Sequence, residues 1–350
     1  MSTVVASDES VADVVAGGET PATTGTVRFV LTKIGGGVIS LLLVVVLGFF
    51  LFRVLPGDPI KTMTHGAPIG TRQLLALRAQ LGLDKPLIVQ FFSYLGNLSH
   101  GDFGTSYVYN QPVGQLVLAA LWPTLLLVGT ATLIAAALGL WLGQRGGWRP
   151  GSTFDKTSTT IALTLWSVPQ FWLAIILILL FAQGIGPLPG LFPVQGIFSG
   201  DVSPGFFPHL ADLLHHLVLP CLTLIAAVYA QFLLIMRSSL LEELGADYLI
   251  TARAKGLRED VVRRRHAVPN ALLPTVTLIF LNLGLVVNGA VAVEVVYSWP
   301  GLGLLMYKAL NVPDLPLIQG AFITLAGAVI VMNVLADLVY RLLDPRVRTS

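Results

Sequence analysis

The ionisable residues that fall within long apolar runs of this chain are Glu294 and Asp337, each near the end of its run. A carboxylate at membrane depth is a functional candidate, because its charge is costly to place in lipid. Glu294 is positioned to line a passage and meet an amino group, to reach the headgroup region, or to pair with a neighbouring subunit. Asn282 and Asn288 share its run, but they are six apart and need not share a helix face. His215 and His216 are adjacent, as in a metal pair, but a place at the membrane interface accounts for them better. Cys221 is the single cysteine, so neither an internal disulfide nor a cysteine metal cluster can form; it reads as a small packing residue. The chain has no HExxH zinc motif, no GxSxG nucleophile elbow, and no GxxxxGK phosphate loop followed by Ser or Thr. None of the six histidines sits where two could face each other across a haem at mid-membrane. These residues point away from catalysis, and the question becomes what the apolar elements carry.

Hydrophobic residues make up 54% of the chain and charged residues 11%, with a mean hydropathy of +0.78. A soluble domain carries about 25% charged residues, so this chain cannot cover its surface in water, and lipid is its solvent. A net charge of +2 carries no signal for nucleic acid. A spanning helix needs about 20 mostly apolar residues, and six runs qualify: residues 34–52, 116–142, 158–181, 217–236, 274–296 and 317–340. Backbone groups in lipid must be paired within the segment, so each run is expected to be a helix. The second is longer than a bilayer requires, which implies tilt or an interfacial start. Gly139 and Gly143 within it are four apart; they either admit a second helix at close range or loosen the helix end. Residues 1–26 are rich in Ser, Thr, Gly, Ala and acidic residues and lack aromatics, which predicts a disordered tail. They have no basic region ahead of an apolar one, unlike a signal peptide. Residues 27–350 read as one membrane domain without internal repeats.

Lysine and arginine set the orientation. The segments before the first span, between the second and third, between the fourth and fifth, and after the sixth hold 15 of the 21 basic residues. The opposite loops hold six, five of them in the long loop 53–115, and long loops cross largely regardless of charge. Both termini are therefore expected in the cytoplasm.

The connection 237–273 is long for a membrane protein and reads helix, glycine, helix. Asp247 is placed to cap a helix over 248–255. Gly256 falls where that helix must reverse, a position that favours a left-handed residue. Glu259 and Asp260 occupy the first turn of the next helix, Arg263, Arg264 and Arg265 follow, and Pro269 is expected to stop it. Such a turn would present a short rigid knob beneath the membrane.

Gly256 stands thirteen residues ahead of Pro269. In this setting the run DYLITARAKGL followed by RRRHAVPNALLP resembles the cytoplasmic "EAA" loop of permease subunits in ATP-binding-cassette importers, in the form found in the dipeptide, oligopeptide and nickel permease family. Further segments resemble that family in order: RVLPGDP (53–59), LGLDKPL (81–87), YLGNLSHGDFGTS (94–106), QPV near Pro112, EVVYSWPGLGLLMYKAL (294–310) and LLDPRVR (342–348). Together they cover most of the chain from residue 28 onward. It departs from the pattern where Ile250 stands for the glutamate that names the loop and Thr251 for its first alanine.

The resemblance implies an all-α, type I importer permease with six transmembrane helices and both termini cytoplasmic, in a prokaryotic cell membrane. It implies one half of a translocation pathway for di- or oligopeptides. The expected partners are a second homologous permease, two ATPase subunits or one fused ATPase, an extracytoplasmic substrate-binding protein, and membrane lipid; nucleic acid is not among them. No cofactor is expected on this chain, with ATP and magnesium on the ATPase subunits. Asp247, Tyr248, Thr251, Ala252, Arg253, Ala254, Lys255, Gly256 and Leu257 would couple to the ATPase, with Ala252 at the closest contact. Glu294, Trp299, Pro300, Gly301, Leu302 and Gly303 would form part of an outer gate, with Trp299 at the membrane interface. The rival reading is an ion-coupled secondary transporter or channel, which would want ionisable groups deep in several spans.

Overall fold

The computed structural model describes residues 22–54, 60, 64, 70–80, 82–184, 189–312 and 314–343. Residues 1–21 of the expected tail lie outside these, as do most of the 53–59 and 342–348 motifs. The helices are α1 (Ala22–Val54), α2 (Thr71–Gln80), α3 (Leu87–Ser99), α4 (Val113–Trp148), α5 (Thr153–Ser167), α6 (Gln170–Leu177), α7 (Phe206–Leu244), α8 (Asp247–Ala254), α9 (Glu259–Val262), α10 (Val268–Val296), α11 (Leu302–Asn311) and α12 (Leu315–Leu343). A π-helical turn, Ile178–Ala182, extends α6, and another, Arg263–Ala267, joins α9 to α10. Helix α1 begins inside the segment read as tail. No strand occurs among the described residues.

Among the described residues, four helices are long and apolar enough to cross a membrane: α1, α4, α7 and α12. The expected third span is instead a pair, α5 and α6, bent by 99°. The cause lies in Pro169. Its ring disfavours the helical conformation at the residue before it, and Val168 is extended at φ −80° and ψ 127°. The expected fifth span falls within the 29 residues of α10. At 36 and 39 residues, α4 and α7 are about 54 and 58 Å long at 1.5 Å per residue, so both extend well beyond a bilayer core.

Helix α7 is the centre of the fold. In its most apolar window 61% of residues are buried, against 17% for α1 and α12. Side chains such as Leu47, Leu118, Trp122 and Leu133 are exposed around the periphery, as expected where lipid is the solvent. The α4–α7 seam is made by glycine. A Cβ on Gly139 would lie 2.6 Å from the Phe232 Cβ and 2.7 Å from the Tyr229 carbonyl oxygen, and one on Gly143 would lie 2.6 Å from the Leu233 carbonyl oxygen. Of the two roles open to these glycines, close backbone approach is the one observed.

Where that seam ends, Asp155 at the start of α5 receives two hydrogen bonds from Arg237 of α7, Nε to Oδ1 at 2.6 Å and Nη2 to Oδ2 at 2.9 Å. The Ser152 hydroxyl caps α5 by accepting from the Asp155 amide, and the Gly151 amide donates to Oδ2. Gly146 leaves the space this carboxylate fills, since a Cβ there would lie 2.9 Å from Oδ1. The fork locks α5 to α7 beside the connection that follows α7.

Candidate functional site

The connection after α7 folds into a knob with its own small core. Leu249 and Ala252 of α8 pack with Met236 and Leu240 of α7, Val262 of α9, Ala267 and Ala271. Helix α8 ends in a Schellman motif: the Gly256 amide donates to the Arg253 carbonyl at 2.9 Å, and the Leu257 amide to the Ala252 carbonyl at 3.4 Å. Gly256 has the left-handed φ of +76° that this ending requires. Arg253 then reaches across the turn to Glu259, Nε to Oε1 at 2.9 Å, while Asp260 receives Arg263 and Arg264 at 2.8 and 3.1 Å. These exposed pairs set geometry more than they add stability. The Tyr248 hydroxyl donates to Glu243. Burial, reinforced by this carboxylate, pushes the phenol above its usual range.

Three details differ from expectation. Asp247 is the first residue of α8 rather than its cap; Ala246 precedes the helix, and no side chain caps it. Pro269 does not stop a helix but sits in the first turn of α10, where a missing N–H removes no intrahelical bond. The wide π turn before it absorbs the join. Ala252 faces inward and is 6% exposed, so it is filled against the chain's own core and offers no free face. The outward surface of the knob is formed by Asp247, Tyr248, Ile250, Thr251, Arg253, Ala254, Lys255, Gly256 and Leu257, with Ile250 60% exposed.

The second group lies at the other end of α10. Glu294 is fully buried. The Thr124 hydroxyl of α4 donates to its Oε1 at 2.7 Å, and the Leu304 amide in the first turn of α11 donates to Oε2 at 3.0 Å. The carboxylate thus satisfies an otherwise free helix N-terminus, where negative charge is favoured. Thr124 Oγ1 in turn accepts the Leu302 amide at 2.8 Å. The turn between the helices must pass over this carboxylate, and only glycine leaves room. A Cβ on Gly301 would lie 2.4 Å from both carboxylate oxygens, and one on Gly303 would lie 2.9 Å from Oε2. Ser298 has a left-handed φ of 48°, which lets the chain reverse. Pro300 joins Trp299 to Gly301 and adjoins a shallow apolar recess.

Trp299 is therefore not an interfacial anchor. It is fully buried, and its indole Nε1–H donates to the Pro123 carbonyl at 2.9 Å. That carbonyl is consumed inside the protein, so the indole's polar edge needs no headgroup. The six expected gate residues, Glu294 and Trp299 to Gly303, do assemble into one unit, held to α4. They stand apart from the knob: the 29 residues of α10 span about 43 Å at 1.5 Å per residue. Thr124, Pro123 and the Asp155–Arg237 fork carried no local sequence signal.

The fold is thus a set of long apolar helices with a compact turn after α7 and a glycine-rich turn between α10 and α11. The chain belongs to the binding-protein-dependent transport system inner membrane component family, whose model matches residues 135–349, with the family's N-terminal model matching residues 26–127. It is 35% identical over 338 residues to the dipeptide transport system permease protein DppB of Escherichia coli, covering 92% of this chain and 98% of that one. It is 36% identical over 323 residues to the glutathione transport system permease protein GsiC of Salmonella typhi, covering 92% and 99%. The inward-facing MetNI methionine ABC transporter matches 66% of this chain and 97% of its own at 18% identity and a TM-score of 0.47.

Proposed function

We propose that this chain is one permease half of an ATP-driven importer of di- or oligopeptides in a prokaryotic cell membrane. Six spans, α1, α4, the bent pair α5–α6, α7, α10 and α12, would place both termini in the cytoplasm. A second permease completes the pathway, separate ATPase subunits bind and hydrolyse ATP with magnesium, and an extracytoplasmic binding protein delivers the peptide. The names of the DppB and GsiC relatives support the peptide class.

The observation that carries the coupling assignment is the knob around Gly256. Its inner face is sealed by its own core, its turn is fixed by the Schellman motif, and its outer face is free. A rigid projection of this kind transmits a push without deforming. The residues meeting the ATPase are then Ile250, Arg253, Lys255, Gly256 and Leu257, with Asp247, Tyr248, Thr251 and Ala254 around them and Ala252 behind. At the opposite end, Trp299, Pro300, Gly301, Leu302 and Gly303 form part of the outer gate, with Glu294 as the fixed post on which the turn is hung.

The test is uptake of a labelled dipeptide into vesicles holding the full assembly. Import that requires both internal or external ATP on the ATPase side and the loaded binding protein supports the proposal. Uptake driven by an ion gradient, without ATPase subunits, establishes a secondary transporter instead.

A further inference from the structure

Helix α4 ends in a basic and aromatic corner. Trp141, Arg145, Trp148 and Arg149 recur at three- and four-residue steps, so they share one face of the helix end. That face, together with α9 and the π turn after it, encloses a cavity of about 850 Å³, within the range of small-molecule sites. The cavity lies where the apolar run of α4 gives way to charge.

Four guanidinium groups line it, Arg145, Arg149, Arg263 and Arg264, against two carboxylates, Glu259 and Asp260. Both carboxylates are already matched. Asp260 receives Arg263 and Arg264, and Glu259 receives Arg253 from outside the wall. Arg145 and Arg149 have no carboxylate partner among the described residues. The Arg145 guanidinium lies instead between two rings, 5.8 Å from the centre of Trp141 and 5.0 Å from that of Phe154. Such contacts orient a cation without neutralising it. Cations also suit the negative end of a helix, yet neither guanidinium donates to the last carbonyls of α4 among the described residues. Both arginines are exposed, so their charge is open to a ligand.

An apolar track leads up to them. Ile134, Leu138, Trp141 and Arg145 follow one another by four, three and four residues along α4, and the first three are exposed, as is Leu133 beside them. A soluble anion has no use for that track, whereas a phospholipid matches both parts, acyl chains on the track and phosphate on the arginines. Exposed indoles such as Trp141 sit well at headgroup level. Basic pockets at the cytoplasmic ends of spanning helices suit anionic headgroups, and a guanidinium fits phosphate geometry.

We propose that this cavity holds the headgroup of an anionic phospholipid of the inner leaflet, with Arg145 and Arg149 on its phosphate and its acyl chains along Leu138 and Ile134. The choice of leaflet rests on the topology proposed above; the binding does not.

The test is native mass spectrometry of the purified full chain, alone and in its assembly, stripped of lipid in detergent. It is titrated with dioleoylphosphatidylglycerol and, separately, with zwitterionic dioleoylphosphatidylcholine. Wild type should bind the anionic lipid more tightly than the zwitterionic one. Arg145→Gln or Arg149→Gln should weaken the anionic lipid about fivefold and the pair about thirtyfold, with the zwitterionic lipid unaffected. Arg265→Gln removes an exposed charge of the same arm that does not line the cavity, and should leave binding unchanged. Wild-type binding in the double variant, or an equal loss in Arg265→Gln, overturns the proposal, the latter by showing only diffuse attraction to basic surface. Glycerophosphoglycerol binding as tightly as the intact lipid overturns it in favour of a soluble phosphate ester. Binding to the isolated chain that vanishes in the assembly overturns it by giving this face to a partner subunit. No ATP or binding protein is present, so failure of the importer reading would leave the result standing.

Discussion

Replacing Glu294 by Gln separates a structural post from a residue of the transport path. In the native arrangement one carboxylate oxygen accepts the Thr124 hydroxyl at 2.7 Å and the other accepts the Leu304 amide at 3.0 Å. An amide has one acceptor oxygen and one donor nitrogen, so it can keep only one of these bonds. The Leu304 amide has no freedom to turn and keeps the amide oxygen, while the Thr124 oxygen, which already accepts the Leu302 amide, can accept the new amide nitrogen on its second lone pair only by turning its own O–H away from its buried acceptor. Leaving that buried hydroxyl donor unpaired costs about 1–3 kcal/mol. The assay is reversible unfolding in mixed micelles, with uptake per folded assembly measured in parallel. Glu294→Gln should lose about 1–3 kcal/mol of stability and keep near-normal uptake per folded molecule. Thr124→Val should lose a similar amount, and the pair should be non-additive because both act on one network. A Glu294→Gln protein as stable as wild type but unable to import would refute the reasoning and return Glu294 to the path.

Gly301→Ala puts a methyl 2.4 Å from both Glu294 oxygens, so it should destabilise by about 1–3 kcal/mol, and Glu294→Gln should not add its full cost on top. Gly143→Leu should separate α4 from α7 and sharply lower the yield of folded protein in a fluorescence size-exclusion assay, since even a Cβ there lies 2.6 Å from the Leu233 carbonyl oxygen. Asp155→Asn should cost about 1.5–3 kcal/mol by removing the charge-assisted fork from Arg237, with a lowered melting midpoint as the readout. Alkaline titration should expose Tyr94: its folded pKa is raised from 10.0 to about 12, chiefly by burial. The unfolded chain therefore ionises first, and stability present below pH 10 is lost as pH rises toward 12; Tyr94→Phe should flatten that part of the profile.

Local chemistry was legible in the sequence. Gly256 could be placed in a left-handed turn because a short helix ends there, and Glu259 and Asp260 fell in a first turn as their charge suggests. Side-chain direction was not. Ala252 is small, which suits close contact with a partner, yet it lies with Leu249 on the face of α8 that closes the knob's own core. The smallness of Gly301 and Gly303 was visible, but not the carboxylate they accommodate. That carboxylate is met by Thr124, 170 residues away in sequence, and Trp299 is met by Pro123, 176 away. Asp155 and Arg237, 82 apart, lay on either side of two spans. The break in the third span had a local cue in Val168 before Pro169, outweighed by the unbroken apolar character around it. Partners distant in sequence leave no spacing to read.

The most direct test of the account is ATPase activity of the purified assembly, with and without peptide-loaded binding protein, for wild type and for Gly256→Trp. A Cβ at Gly256 meets nothing within 4 Å in this chain, though the φ of +76° strains any residue that carries one. The variant should therefore assemble while the knob's tip is reshaped. The account predicts that loaded binding protein stimulates the wild-type assembly and that Gly256→Trp loses the stimulation. Peptide movement by the chain alone, driven by an ion gradient and indifferent to any ATPase, would contradict it.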